Sequence, residues 1–381
     1  MARIDPKTGG IIWNQDEKPK DVNLSFNPVP STLPLEERLR RCLSVGQECI
    51  QPEELEWLLR NKSFPVCYDG FEPSGKVHIA QGILKAINVN KLTSSGCVFI
   101  FWVADWFALL NNKMGGDLEK IQTTGRYLIE TWKAAGMDMR NVKFLWTSEE
   151  INKKPNEYWL RVMDIARKTT FDRIKRCCTI MGRKESDSME AAQVLYPCMQ
   201  CSDIFFLGAD ICQLGLDQRK VNMLAREYCD SIQVERKPVI LSHPMIMGLK
   251  EGQEKQSKSH PDSAIFMQDS EEDVNRKISG AYCPPGVAEG NPVLNMMKIM
   301  IFENYDKVVV EREEKNGGNV VYLSYEQLES DFVNKNLHPG DLKAALARIL
   351  NEMMQPVRDH FQNDPYAREL LRKVNSYTIT R

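Results

Sequence analysis

Tyr196, Gln200 and Asp203 stand at i, i+4 and i+7 in the run YPCMQCSDIFFLGAD. In a helix all three side chains leave one face. A phenol, an amide and a carboxylate then share a stripe on an element whose other residues, Cys198, Met199, Cys201, Phe205 and Phe206, are apolar. Turned inward, the stripe buries polar groups at a cost unless a polar ligand meets them. Turned outward, it is an ordinary solvated face. Both orientations fit the run by itself, and Pro197 suits a first helical turn, where no amide hydrogen bond is lost.

Three further segments carry residue types suited to phosphate chemistry. In YDGFEPSGKVHIAQG, a strand is expected to end near Tyr68. Pro73, Ser74 and Gly75 make a turn, and HIAQGILKAINVNKL starts a helix with His78 in its first turn. Backbone amides and the helix dipole at such a junction attract a phosphate, and an imidazole there can donate to it. A plain helix start with a surface histidine is the competing reading. EGQEKQSKSHPDS follows the last expected strand and holds Lys255, Ser257, Lys258 and Ser259. Cations and hydroxyls on such a loop can stabilise charge developing on pyrophosphate, although a solvated linker has the same composition. In GLDQRKVNMLARE, Asp217 or Leu216 can cap a helix with Gln218 in its first turn, at the carboxyl edge of a sheet where ligands bind. Arg219 and Lys220 add positive charge beside it, as salt-bridging cations at a helix start also would.

These groups need a frame. From about 64 to 250, VCYDGF, CVFIFWVAD, VKFLW and PVILSH read as buried strands. IQTTGRYLIETWKAAGM and QRKVNMLAREYC read as helices between them. That alternation predicts an α/β unit with a parallel sheet and crossover helices. Residues 1–33 are polar and proline-rich and read as a flexible arm, and 34 to about 60 read as two helices. After about 265 the pattern becomes mainly helical, with KVVVERE and NVVYLS as a hairpin across NGG.

Composition sets outer bounds. The chain has 381 residues, 42% hydrophobic and 27% charged, with a formal net charge of −2. That excludes a uniformly basic nucleic-acid coat but not a local basic patch. No run approaches the ~20 apolar residues of a membrane span, and the N-terminus has neither a signal-peptide core nor transit-peptide character. The eleven cysteines suit free thiols in a reducing cytosol. Cys198 and Cys201 form a single CxxC, with no second pair to complete a zinc site.

The motifs together support a resemblance. HIAQG resembles the HIGH motif of class I aminoacyl-tRNA synthetases, and KQSKS, Lys255 to Ser259, resembles their KMSKS motif. YDGFEPSGKVH, YPCMQCSDI, LDQRK, HPMIMGL, AYCPPGVAEGNP and LHPGDLK follow in the order of archaeal and eukaryotic cytosolic tyrosyl-tRNA synthetases. The similarity covers about residues 36 to 362. Gln81 and Ala80 stand where HIGH has histidine and glycine, and Gln256 where KMSKS has methionine.

The resemblance implies a Rossmann-like catalytic domain over 34–262, with a connective insertion at about 140–195 and a loop at 255–259. A helical anticodon-binding domain would follow over 263–381. It implies activation of L-tyrosine with ATP and Mg²⁺, transfer to tRNA(Tyr), and a cytoplasmic homodimer with no membrane association and no resident metal. It assigns catalytic positions to His78, Gln81, Lys255 and Lys258, and ATP contacts to Gly70, Ser74, His78, Gln81, Lys255, Ser257, Lys258 and Ser259. Tyr68 and Asp203 would hold the substrate phenol, while Glu72, Tyr196, Gln200 and Gln218 would surround its amine. Contacts to tRNA would come from Arg219 near the acceptor stem and from Asn316, His338 and Asp341 near the anticodon. Some relatives carry an aromatic ring at the Asn316 position. Asp341 has a second reading, because an acid in a first turn stabilises a helix by ~0.3–1 kcal/mol without RNA. A tryptophan enzyme of the same fold would have less use for Tyr68 and Asp203. A silent tRNA-binding paralogue would bind RNA without forming an adenylate.

Overall fold

The computed structural model describes residues 3–4, 11–12, 27–181, 190–256 and 261–377. In the arm, β1 (Arg3–Ile4) and β2 (Ile11–Ile12) form a short antiparallel pair. The end of the arm is fastened to the body. Val29 donates its amide to Asn141 Oδ1 at 2.7 Å and accepts from Asn141 Nδ2 at 2.8 Å. Ser31 Oγ donates to the Ser94 carbonyl at 2.6 Å. One buried asparagine thus satisfies both backbone groups of a residue far away in sequence, a contact no local pattern announces.

The central sheet holds β3 (Glu48–Ile50), β4 (Val66–Phe71), β5 (Val98–Val103), β6 (Val142–Trp146), β7 (Ile211–Cys212) and β8 (Val239–Ser242). Their spatial order is β3-β8-β7-β4-β5-β6. All neighbours are parallel except β3, which runs antiparallel to β8. The chain leaves β4 in one direction through β5 and β6, then returns to the other side of β4 as β7 and β8. The reversal opens a crevice at the carboxyl ends of β4 and β7, where ligands bind in sheets of this kind.

Burial follows position. Every residue of β5 is buried, as a strand covered on both faces requires. β6 is only half-buried because it is the sheet edge, so reading VKFLW as a buried strand overstates it. β3 lies inside the segment read as two helices, between Leu35–Val45 and Pro52–Asn61. At three residues it is too short for periodicity to register. β4 runs on to Phe71, so Tyr68 sits within the strand rather than at its end.

The insertion lies between β6 and β7, hence between the two halves of the sheet. Among its described residues it contributes the helices Thr147–Lys153, Pro155–Lys168 and Phe171–Cys177. The return helix, Ala191–Phe206, has Pro197 in its interior rather than its first turn. Proline cannot bond the carbonyl four residues back. That carbonyl, of Gln193, faces the Cys178 thiol at 4.0 Å.

The C-terminal part is helical. It comprises Glu271–Ser279, Pro292–Met296, Tyr325–Val333, Pro339–Asn363 and Pro365–Ser376, with the expected hairpin of β9 (Val308–Val310) and β10 (Val320–Tyr322). Gly317, at φ +93°, takes the left-handed turn conformation in that hairpin. This part packs on the helix Leu118–Ala134 through the Tyr127 and Phe361 rings, 5.2 Å apart, and through His360 Nε2 to Glu130 Oε2 at 2.9 Å. Among the described residues no helix is long and apolar enough to cross a membrane.

Candidate active site at the sheet switch point

A cleft of about 320 Å³ opens at the reversal. Its inner end is formed by Tyr68 on β4, Trp102 on β5 and Asp203 on the Ala191–Phe206 helix. Tyr196, Gln200 and Asp203 are 7%, 6% and 1% exposed, so the stripe faces inward and the solvent-facing alternative fails. Cys198 and Cys201 lie buried on the remaining surface of the helix, and all eleven cysteines are free.

Asp203 has a partner that the sequence did not reveal. Tyr158, from the insertion helix Pro155–Lys168, donates its hydroxyl to Asp203 Oδ1 at 2.8 Å. Burial pushes the Asp203 carboxyl well above the usual carboxylate range, with the Tyr158 hydrogen bond opposing. Burial, and next the Asp203 charge, pushes the Tyr68 phenol well up. Among the described residues no hydrogen bond joins Tyr68 to Asp203. A Cβ on Gly70 would stand 3.2 Å from the Tyr68 hydroxyl, so that glycine leaves the phenol its room.

A second polar group lies on the wall above. Tyr196 donates its hydroxyl to Glu72 Oε1 at 2.6 Å. Asn111 Nδ2 donates to both Glu72 oxygens at 3.0 Å, and Lys113 Nζ stands 3.6 Å away. Gln200 Nε2 donates to Gln218 Oε1 at 3.1 Å, and Gln218 Nε2 donates to the Ile180 carbonyl at 3.3 Å. The carboxylate and amide oxygens gathered here are acceptors for an ammonium group.

The outer end holds Gly70, Ser74, His78, Gln81, Asp217, Lys255 and Gln256. His78 is not in a helical turn. It forms an antiparallel bridge with Phe266, and the helix begins as a π-turn over Ala80–Leu84 before Lys85–Ser94. The Gln81 carbonyl accepts the Trp132 indole N–H at 2.6 Å. A side chain that takes a carbonyl in this way suits a widened first turn, and such turns recur at functional sites. Gln218 is the residue before the Arg219–Ser231 helix and makes no capping bond. Lys255 Nζ lies 3.9 Å from Asp217 Oδ2 with over half of its side chain exposed. Gln256 is 5% exposed, and neither side-chain amide atom has a partner among the described residues. Ser257, Lys258 and Ser259 lie outside the described residues.

The remaining candidates are elsewhere. Arg219 pairs with Glu48 on β3 at 2.7 Å. Asn316 is in the turn between β9 and β10, and Arg312 ties that turn to the segment before Pro339–Asn363 by donating to the Gly318 and Asn336 carbonyls. His338 caps that helix, its Nδ1 accepting the Gly340 amide at 3.0 Å, and Asp341 lies in the first turn. The sequence reading missed Tyr158, Asn111 and a connected set, the buried Asp69, Lys85 and Gln213 with His243 on the cleft wall. Asp69 and His243 lie within the YDGFEPSGKVH and HPMIMGL runs and Lys85 in the helix after His78, but the groups they touch come from other elements, which no single run displays.

Comparison with known proteins places the chain in a family. The family model for class I tRNA synthetases (W and Y) matches residues 60–355. A cytoplasmic tyrosine–tRNA ligase 1 of Arabidopsis thaliana is 60% identical over 91% of this chain and 90% of its own length. Leishmania major tyrosyl-tRNA synthetase, solved with tyrosinol, is 54% identical with a TM-score of 0.86 over 91% of this chain. The match takes in 52% of that longer chain, so this chain spans about half of it. The Pyrococcus horikoshii synthetase, solved with L-tyrosine, is 34% identical with a TM-score of 0.83, over 89% of this chain and 100% of that one. The chain belongs to the class I aminoacyl-tRNA synthetases, in their tyrosine–tRNA ligase branch.

Proposed function

We propose that this cleft is where the chain, as a tyrosine–tRNA ligase, joins L-tyrosine to ATP and then charges tRNA(Tyr). The observation that carries the reading is the buried carboxylate of Asp203, facing the same closed end as the Tyr68 hydroxyl. A phenol placed there donates to Asp203 and accepts from Tyr68. Phenylalanine would leave the Tyr68 hydroxyl, and the acceptor capacity of Asp203 that Tyr158 does not use, dry and unpaired.

Glu72, Tyr196, Gln200 and Gln218 receive the substrate ammonium. The tyrosine carboxylate then points toward the outer end and attacks the α-phosphate of ATP. The C–O–P bond forms as the bond to pyrophosphate breaks. No protein nucleophile is required, so catalysis is alignment plus charge stabilisation. His78 and Gln81 donate to the phosphates, with Lys255 and the Lys258 segment as cations and Gly70 and Ser74 beside the chain. In the second step a terminal ribose hydroxyl of tRNA attacks the tyrosyl carbonyl and AMP leaves.

Among the described residues no three His, Cys, Asp or Glu side chains converge as a metal cage. Mg²⁺, held mainly by phosphate oxygens and water, neutralises triphosphate charge when ATP binds. The protein works as a cytoplasmic homodimer through the 140–195 insertion, whose Met163 and Phe171 are more than half exposed. Asn316, His338 and Asp341 face the anticodon, and Arg219 the acceptor stem.

ATP–pyrophosphate exchange with tyrosine, phenylalanine and tryptophan tests the reading. Exchange with tyrosine alone supports it. Exchange with tryptophan, or none with any of the three from folded protein, refutes it.

A further inference from the structure

Four side chains at the outer end of the cleft form a chain of contacts with no part in the steps above. Lys85 Nζ lies 2.5 Å from Asp69 Oδ2 and donates to Gln213 Oε1 at 3.0 Å. Gln213 Nε2 lies 2.7 Å from His243 Nδ1. Asp69, Lys85 and Gln213 are buried, and Asp69, Lys85 and His243 reach the cleft wall. They come from β4, from the Lys85–Ser94 helix, from the residue after β7 and from the residue after β8.

The protons follow from chemistry. An ammonium only donates, so the Gln213 atom facing Lys85 is its oxygen. The amide nitrogen therefore faces His243 and donates, and Nδ1 accepts. Burial, and next the Lys85 charge, holds His243 well below the usual imidazole range, so the ring is neutral. A neutral ring whose Nδ1 accepts carries its proton on Nε2. That edge has no hydrogen-bond partner among the described residues, and a Cβ on Gly215 would stand 3.6 Å from Nε2. The same Cβ would lie 2.7 Å from Asp217 Oδ1. The space that Gly215 leaves is thus flanked by an N–H donor and a carboxylate acceptor.

A sugar diol fits such a pair, because each hydroxyl both donates and accepts, and an acid on a ribose hydroxyl is a common nucleotide contact. We propose that His243 donates from Nε2 to a ribose hydroxyl of ATP, opposite Asp217, and that Asp69, Lys85 and Gln213 are positioning residues that fix its tautomer. The assignment rests on the cleft being the ATP site.

The test is tyrosine-dependent pyrophosphate exchange by the full chain with ATP, 2′-deoxy-ATP and 3′-deoxy-ATP, alongside ¹⁵N NMR of labelled histidines. Wild type prefers ATP to one deoxy nucleotide. His243→Asn places its amide near the Nδ1 position only. It raises the ATP KM about tenfold, the loss of one hydrogen bond, and removes that preference, with kcat and the tyrosine KM within about twofold. His243→Gln, which returns an N–H near the Nε2 position, recovers most of the preference. Gln213→Glu still accepts from Lys85 but offers no N–H to Nδ1. It moves the proton off Nε2, seen in the His243 ¹⁵N shifts, and weakens ATP without touching the cleft wall. An Nδ1-protonated His243 in wild type, or an ATP preference unchanged in His243→Asn, overturns the proposal while leaving the tyrosine reading standing. Absence of exchange with every nucleotide in wild type overturns both.

Discussion

Tyr158 and Asp203 are joined by a 2.8 Å hydrogen bond between the insertion and the return helix. The insertion therefore holds the carboxylate that we propose faces the substrate phenol. Tyr158→Phe removes one donor from a buried acid and frees it to turn. Tyrosine KM should rise about tenfold, from a loss of ~1–1.5 kcal/mol, while ATP KM stays unchanged. Steady-state exchange separates the two. An equal rise in both would mean that Tyr158 only supports the fold.

Asp203 also sets a cost in the empty protein. Burial raises its folded pKa above the unfolded value, so the folded state binds the proton more tightly. Its contribution to stability is therefore greatest in acid and is lost as pH rises through the window above the ordinary carboxylate range. Asp203→Asn keeps an acceptor for Tyr158 and has no charge to bury. Without ligand it should be more stable than wild type at neutral pH, by on the order of 1–3 kcal/mol, and the difference should shrink in acid. Thermal denaturation at two pH values checks this. Wild type being the more stable at neutral pH would contradict the account.

Glu72 is held by Tyr196, Asn111 and Lys113, so its carboxylate is aimed rather than free to swing. Glu72→Gln should weaken L-tyrosine by roughly 10–100-fold, the worth of a charge-assisted hydrogen bond. It should not weaken 3-(4-hydroxyphenyl)propionate, which lacks the amine, as an inhibitor. Equal losses for both ligands would move Glu72 out of the amine site.

How far the site could be read from the chain depends on distance along it. Tyr196, Gln200 and Asp203 were legible because one helical period carries all three. Their inward orientation was not, since it depends on β4 and β5 lying beneath them. Tyr158 is 45 residues from Asp203, and the Lys85 to His243 chain spans four elements, so no local pattern reveals either. The alternation of apolar runs was enough for a parallel sheet. It passed over β3 and β7, which have three and two residues. The His78 junction was displaced because Trp132 takes the Gln81 carbonyl and Phe266 pairs with His78, both contacts from outside the motif.

Asp341 separates recognition from helix stability. As a first-turn acid it is worth ~0.3–1 kcal/mol to its helix, and His338 already caps that end. Asp341→Ala should lower kcat/KM for tRNA charging by at least tenfold, with pyrophosphate exchange unchanged and at most a small fall in Tm. A fall in exchange to match would show a folding defect.

The central claim is that Tyr68 and Asp203 read the substrate hydroxyl. The direct measurement is kcat/KM for exchange with tyrosine and with phenylalanine, in wild type and in Asp203→Asn. Wild type should reject phenylalanine by roughly 10⁴–10⁵-fold, a magnitude for which tyrosine–tRNA ligases are themselves the standing example rather than one derived from this cleft. Asp203→Asn should narrow that ratio by at least tenfold, chiefly through the loss of tyrosine. A ratio left intact by the substitution would mean that the hydroxyl is read elsewhere and would contradict the account.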